Sequence, residues 1–484
     1  YIVEEIEAPP GFAKDTDVDR EATVSEAELN VTIGIQGQDD RNVSNPEESD
    51  FHNQLGSVAW EKRDKMGMLL GGATFEVLPN PLTGALTPLV VVDDGPHDAD
   101  KNPGELLIND VMMDTYIVTE TIPPTGYALD DDSDRIVTVS ETVLNATIGV
   151  HSQDDLGNSD NSDFHNRLGM LAWEKRDDTG DLQGWAQFTI TPNPFTGIDF
   201  LLVVDNDSYD MNESDGQFQL IDVRLGTYIV EEVQGPLGFA KDRDVDREVT
   251  ISSAELTAVI GVQNQDDTAQ NTPNPEERDF HNQLGSLAWE KRDNMGALQG
   301  GATFEVTPNP LNGSTTPLVL IDDGPHDWDP DPGEILIDKV RLGTYTVTET
   351  IAPTGFALDD DVDRIVAVSE TVLDVTIGTM GQDDPGNHDT SDFHNRLGNL
   401  EWEKRDPSGG LQANAKFEIL PDPFTGTGSL IVADNDANDR DQDDGQFKLI
   451  NVRANTYLVT EVEPPPGYAL DSDIDREVTV SEAD

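Results

Sequence analysis

The chain has 484 residues, enough for three or four domains of ordinary size. It carries 97 Asp and Glu against 29 Lys and Arg, a formal charge of -68. That surface repels nucleic acid and anionic membrane, and it suits divalent cations or concentrated salt, where self-repulsion is screened. Cysteine is absent, so disulfides are excluded, and no apolar run of about 18 residues exists, so no segment is built to span a membrane as a helix.

The opening "YIVEEIEAPPGFAKDTDVDRE" reappears from Tyr228 as "YIVEEVQGPLGFAKDRDVDRE". Residues 1–54 therefore read as the C-terminal part of a truncated domain, and the sequence as an excerpt from a longer polypeptide. The next domain is expected over 57–167. Its short alternating segments are "SVAWEKRD", "ATFEV", "LLI", "TYIVTET" and "IVTVS", separated by Pro, Gly, Asn and Asp clusters, and it closes on "DFHN". Further copies follow over 170–283 and 286–396, then over 399–484 without a last strand. Trp60, Trp173, Trp289 and Trp402 lie 113, 116 and 113 residues apart, so internal repetition dominates the reading. A longer period of 229 residues sits above it. The first and third repeats share "DDGPHD", whereas the second and fourth share "DND" followed by "DGQF". Period-two alternation without a convincing helical period predicts an all-β chain of tandem immunoglobulin-like β-sandwich domains. Nine residues separate the asparagine of each "DFHN" from the lysine of the next "WEKRD", which leaves no flexible linker and predicts an elongated, semi-rigid array.

Alternation puts Lys62 on the face of Val58 and Trp60, Glu120 on the face of Tyr116 and Val118, and Asn166 on the face of Phe164, with His165 outward. A charged amine on a core face costs several kcal/mol unless it is paired or neutralised. The residues alone leave two readings open: a buried Lys–Glu salt bridge with an asparagine hydrogen bond, or a site for covalent chemistry.

The segments "WEKRD…GGATFEV" and "GTYTVTETIAPTGFALD" resemble the Cna B-type, or SpaA-like, prealbumin-fold domains of bacterial surface adhesins and pili, and the resemblance extends over essentially the whole chain. It implies a Lys–Asn isopeptide bond inside each domain, formed with the help of a buried glutamate. The lysines it assigns are Lys62, Lys175, Lys291 and Lys404. The assisting glutamates are Glu120, Glu232, Glu349 and Glu461, with Glu5 in the opening fragment, and the asparagines are Asn53, Asn166, Asn282 and Asn395. Three triads are complete: Lys62/Glu120/Asn166, Lys175/Glu232/Asn282 and Lys291/Glu349/Asn395. The "TIG" segments compete for the last-strand role, but they offer Asn30 and Asn145 and then Thr257 and Asp374, whereas "FHN" keeps its asparagine throughout. A long acidic insert between "TIG" and "DFHN" departs from the family pattern.

Two kinds of acidic loop recur. Alternate oxygens at Asp205, Asp207, Asp210, Asn212 and Asp215, and at Asp434, Asp436, Asn438 and Asp441, suit Ca²⁺. The "DxDxD" turns each precede an arginine (Arg20, Arg135, Arg247, Arg364, Arg476), which can neutralise the turn without a metal. Glycosylation sequons stand at Asn30, Asn42, Asn145, Asn212 and Asn312. His52, His165, His281 and His394 are expected at the surface or at domain contacts.

No organic cofactor site, phosphate loop or catalytic Ser/His/Asp order is visible, so an enzyme is not expected beyond single-turnover self-cross-linking. The near-identity of the repeats points to the structural shaft of an extracellular or cell-surface fibre, pilus or adhesin, whose partners are other copies of the chain or further repeats. The alternative is a ligand-binding adhesin array or a calcium-dependent surface-layer or matrix module, with Trp328 as its one aromatic candidate.

Overall fold

The computed structural model describes residues 1–40, 49–268 and 272–481; the sequon at Asn42 falls outside them. Two compact units are present. One comprises Tyr1–Glu174, Gln187–Glu231 and Asp246–Asp279, the other Lys175–Ala186, Glu232–Val245 and Phe280–Asp484. Among the described residues the only helical element is the 3₁₀ turn Pro275–Glu277; everything else regular is strand, as the alternation requires.

The repeat spanning Trp60 shows the architecture. The lysine strand Gly56–Asp64 pairs antiparallel with Glu105–Val111 on one edge. On its other edge two short strands run parallel to it in succession: Asn145–Thr147 against Ser57–Ala59, then Phe164–Asn166 against Lys62–Asp64. The second sheet is antiparallel, in the order Leu89–Val92, Thr74–Leu78, Thr115–Ile122, Asp134–Thr138. Both inner faces supply one core, with Val58 and Trp60 from the first sheet and Phe75, Val77, Tyr116 and Val118 from the second. Trp60 meets Phe75 edge-on at 5.3 Å, and Phe75 meets Phe164 at 5.0 Å, so the asparagine strand enters the same aromatic cluster.

Alternation correctly places Lys62 inward, but it does not anticipate that Glu61 and Arg63, on the opposite face, are buried too. The acidic insert covers them. Ser152 N–H donates to Glu61 Oε1 (2.7 Å), Arg63 Nη2 reaches Glu61 Oε2 (2.6 Å), and Arg63 Nε reaches Asp163 Oδ2 (3.0 Å). Gly149, at φ +72°, lies so close to Asp163 that a Cβ there would stand 2.4 Å from its Oδ1. The third repeat reproduces the arrangement, with Gly381 N–H on Glu290 and Arg292 between Glu290 and Asp392.

Consecutive repeats also meet through a recurring joint. Arg224 lies over the Tyr127 ring at 5.1 Å and donates to Thr125 O, while Leu225 N–H donates to Gly126 O. Arg341 on Phe239 and Arg453 on Phe356 repeat it. Gly126 sits at φ +88° with its missing Cβ 2.7 Å from Arg224 Nε, so both backbone sign and space call for glycine there.

Candidate cross-linking site

Lys62 and Glu120 reach the site from opposite sheets, and both are fully buried. They stand 3.9 Å apart, too far for a hydrogen bond. Lys62 Nζ instead donates to Phe164 O (2.8 Å) and Arg63 O (3.2 Å), both backbone carbonyls. Glu120 accepts both oxygens' worth of contact from Asn166 Nδ2, at 3.1 and 3.0 Å, and a backbone hydrogen bond from Asp130. Asn166 Oδ1 is buried with no hydrogen-bond partner.

The third repeat matches closely: Lys291 Nζ lies 3.8 Å from Glu349 Oε1 and donates to Phe393 O, while Asn395 Nδ2 lies 2.9 and 3.1 Å from the Glu349 oxygens. In the second repeat Lys175 and Glu232 stand 3.7 Å apart, and Asn282 Nδ2 bonds Glu232 and Ala240 O. Each predicted triad is therefore gathered at one place. In the opening fragment Asn53 Nδ2 bonds Glu5 at 2.7 Å. In the last repeat Lys404 and Glu461 face each other directly. Asn145, the competing asparagine, is exposed and accepts from Ser57 Oγ, away from the triad.

Burial pushes the Lys62 amine down to about 8, opposed by the charge of Glu120, and pushes the Glu120 carboxyl up, opposed by Lys62 and Asn166. The same causes act on Lys291, also lowered to about 8, and on Glu349. Desolvation thus brings the two groups toward a state in which the amine is neutral and the carboxyl holds the proton.

The arginine of each "DxDxD" turn is also buried where an asparagine strand is present. The "DND" loops show a different use of carboxylates. Asp205 Oδ1 accepts Gly216 N–H, Asp207 accepts Val204, Tyr209 and Asp210 N–H, and Asp210 accepts Asn206, Asn212 and Gln219 N–H. Asn212 Oδ1 accepts Ser214 N–H. Asp215 Oδ1 accepts from the Asn206 side chain. The fourth repeat repeats the pattern with Asp434 on Gly445 N–H, Asp436 on Ala433 and Asn438 N–H, and Asp441 on Asp443 N–H. A calcium ion would have to share these oxygens with the loop's own amides.

His165 is less exposed than its strand position suggests, because its Nε2 lies 2.7 Å from Asp154 Oδ1 in the insert; His394 and Asp383 do the same. Trp328 is exposed, and so is Trp185 in the second repeat.

The sequence profile of the SpaA prealbumin-like fold domain matches residues 56–153, 285–381 and 398–484, more than half of the chain. The chain belongs to this family. Solved structures similar to this SpaA-type chain include the Bacillus anthracis TIE protein, at 16% identity and a TM-score of 0.39 over 85% of this chain. The chain covers 66% of that protein, just under two thirds of its length. BcpA, the major pilin subunit of Bacillus cereus, is similar at 14% identity and a TM-score of 0.29, over 71% of this chain and 99% of BcpA. The major pilin SpaD of Corynebacterium diphtheriae is similar at 12% identity and 0.27, over 67% of this chain and 96% of SpaD. No curated protein sequence matches the chain.

Proposed function

We propose that the chain is part of the structural shaft of an extracellular fibre, pilus or surface adhesin, whose domains lock themselves with intramolecular Lys–Asn isopeptide bonds. The observation that carries this reading is the burial of an amine, a carboxyl and a carboxamide together in three successive repeats. A surface or binding role alone gives no reason to hold a lysine at zero exposure on a core face.

The chemistry follows from the geometry. Lys62 and Glu120 share one titrating proton, and its transfer to Glu120 leaves a neutral, nucleophilic amine. With Glu120 ionised, the Asn166 amide turns its NH₂ toward it, as observed. With Glu120 protonated, the amide is free to turn over, because its Oδ1 has no partner to lose, and it then accepts the carboxyl proton as a hydrogen bond that polarises the carbonyl. Nζ attacks Cγ, the Cγ–Nδ2 bond breaks, and a proton from Nζ passes through Glu120 to the departing nitrogen, which leaves as ammonia. Holding the groups in one buried site replaces an unfavourable bimolecular amidation with an intramolecular one.

Each bond removes one ammonia, about 17 mass units, so a folded chain with three complete triads is expected to weigh about 51 units less than its sequence. An intact mass equal to that of the unmodified chain refutes the cross-links and leaves buried salt bridges in their place.

A further inference from the structure

Resting on the cross-link reading, we infer that Arg135, and Arg364 in the third repeat, is a positioning residue that seats the asparagine strand opposite the lysine and glutamate. All five guanidinium N–H groups of Arg135 are used. Nε donates to Ser162 O (3.0 Å) and Nη2 to Asp163 O (3.0 Å), the two carbonyls just before Phe164. Nη1 donates to Asp132 O and Asp134 O, and Nη2 also to Asp130 Oδ2 (3.1 Å). The guanidinium carbon lies 4.7 Å from the Phe164 ring centroid. Asp130 Oδ2 in turn accepts the His165 N–H (2.8 Å). Four consecutive residues, Ser162 to His165, are thereby tied to one turn immediately before Asn166, and that turn also supplies the backbone hydrogen bond to Glu120. The two partners that Lys62 must meet are referenced to the same short segment.

The repeats supply their own comparison. Arg364 repeats the pattern on Ser391 O, Asp392 O, Asp359 and the Phe393 ring. Arg20 does so on Ser49 O, Asp50 O, Asp15 and the Phe51 ring, where among the described residues no lysine strand is paired. Arg476 has no asparagine strand beside it among the described residues. Its side chain is 57% exposed, against 0% for Arg135, and it keeps only the contacts within its own turn. The arginine is prepared by the turn and completed by the incoming strand. That strand arrives after the long acidic insert, so its place is not set by chain connectivity alone.

The test follows the Lys62–Asn166 cross-linked peptide in freshly synthesised full chain, at several pH values, for wild type, R135Q and R135K. R135Q is expected to form the first-repeat cross-link at least tenfold more slowly at every pH, since misplacing a reacting group by about 1 Å can cost on the order of a hundredfold. R135K, which keeps the charge but not the fork, is expected to recover only part of the rate. The other two repeats should link normally. Linking by R135Q at the wild-type rate overturns the inference. So does a rate loss confined to a shifted alkaline limb, which would show that Arg135 acts only through its charge on Lys62. In a K62A background, R135Q should leave the Trp60 environment intact by near-ultraviolet circular dichroism. Its collapse would make Arg135 a folding residue and also overturn the inference. A wild-type chain with no mass deficit overturns the cross-link reading itself, and the positioning role with it.

Discussion

The first and last repeats both bring a lysine up to a glutamate, yet the two pairs differ. Lys404 lies 2.8 and 3.0 Å from the two Glu461 oxygens, a direct ion pair, and its side chain is 15% exposed. Lys62 is fully buried, stands 3.9 Å from Glu120 and donates instead to the Phe164 carbonyl. The difference is the asparagine strand. Among the described residues the strand Gly398–Glu403, which ends one residue before Lys404, is paired only with Gln446–Val452, and an open groove runs past Trp402, Lys404, Glu461 and Ile474. In the first repeat Phe164–Asn166 fills that edge. Its carbonyl draws the amine away from the carboxylate, its amide takes the carboxylate's oxygens, and its bulk excludes water. One three-residue strand accompanies the change from a partly solvated salt bridge to a desolvated set of amine, carboxyl and carboxamide.

The largest expected effect on that comparison comes from removing the lysines. K62A should leave the first repeat without its link, returning about 17 mass units and costing about 4–5 kcal/mol, because a closed loop of 104 residues no longer restricts the unfolded chain. K404A should cost far less, since it removes a partly solvated ion pair and no cross-link. Repeat-resolved hydrogen exchange in denaturant separates the two; equal losses in both repeats would count against the link.

Next comes E120Q. The amide can still hydrogen-bond Asn166 but cannot relay a proton, so cross-linking in the first repeat should slow by roughly 10²–10⁴-fold while the other repeats proceed. Peptide mapping over a time course reads this directly, and unchanged kinetics would remove Glu120 from the chemistry.

The pH profile sharpens the contrast. The neutral amine with protonated carboxyl has the same proton count as the ion pair, so cross-linking should follow a bell. Its alkaline limb should lie near 8, where the pair loses its shared proton, and its acid limb at the raised Glu120 pKa, where a second proton binds. In the unlinked variant N166A, the unfolded chain binds more protons than the folded one between about 8 and the ordinary lysine value of 10.5, so stability of the first repeat should rise with pH across that window. The raised carboxyl has the opposite sign: the folded state holds its proton longer, and stability should fall as pH rises from the ordinary glutamate range through the folded value. Urea unfolding at stepped pH tests both signs.

The smallest effect is expected at the "DND" loops of the second and fourth repeats. If calcium enters the Asp205–Asp215 loop, it shares oxygens already held by loop amides, so a chelator should lower the melting temperature by no more than about 4 °C, near 1 kcal/mol for a domain of this size. Proteolysis between Asn206 and Gly216 should increase with it. Cutting that ignores both calcium and chelator would leave these loops as amide-capped turns.

Much of this was readable in one dimension. Repeat spacing and period-two alternation determined an all-β tandem chain, and they placed Lys62, Glu120 and Asn166 on inward faces, because strand geometry ties every second residue to one side. The choice of "FHN" over "TIG" for the reactive asparagine was only a preference at that level; both segments pair with the lysine strand, one beside Ser57 and one beside Lys62, and register is a property of the sheet. The burial of Glu61 and Arg63 was not readable, since alternation cannot say that an insert a hundred residues away will cover the outer face. Nor was the second use of the "DxDxD" arginine. A turn with its own counter-ion is a local pattern, but the carbonyls of Ser162 and Asp163 that complete Arg135 come from a separate strand. The sequence by itself determined which groups face inward; only tertiary structure decided which of them meet, because hydrogen-bond partners across sheets are chosen by packing and not by period.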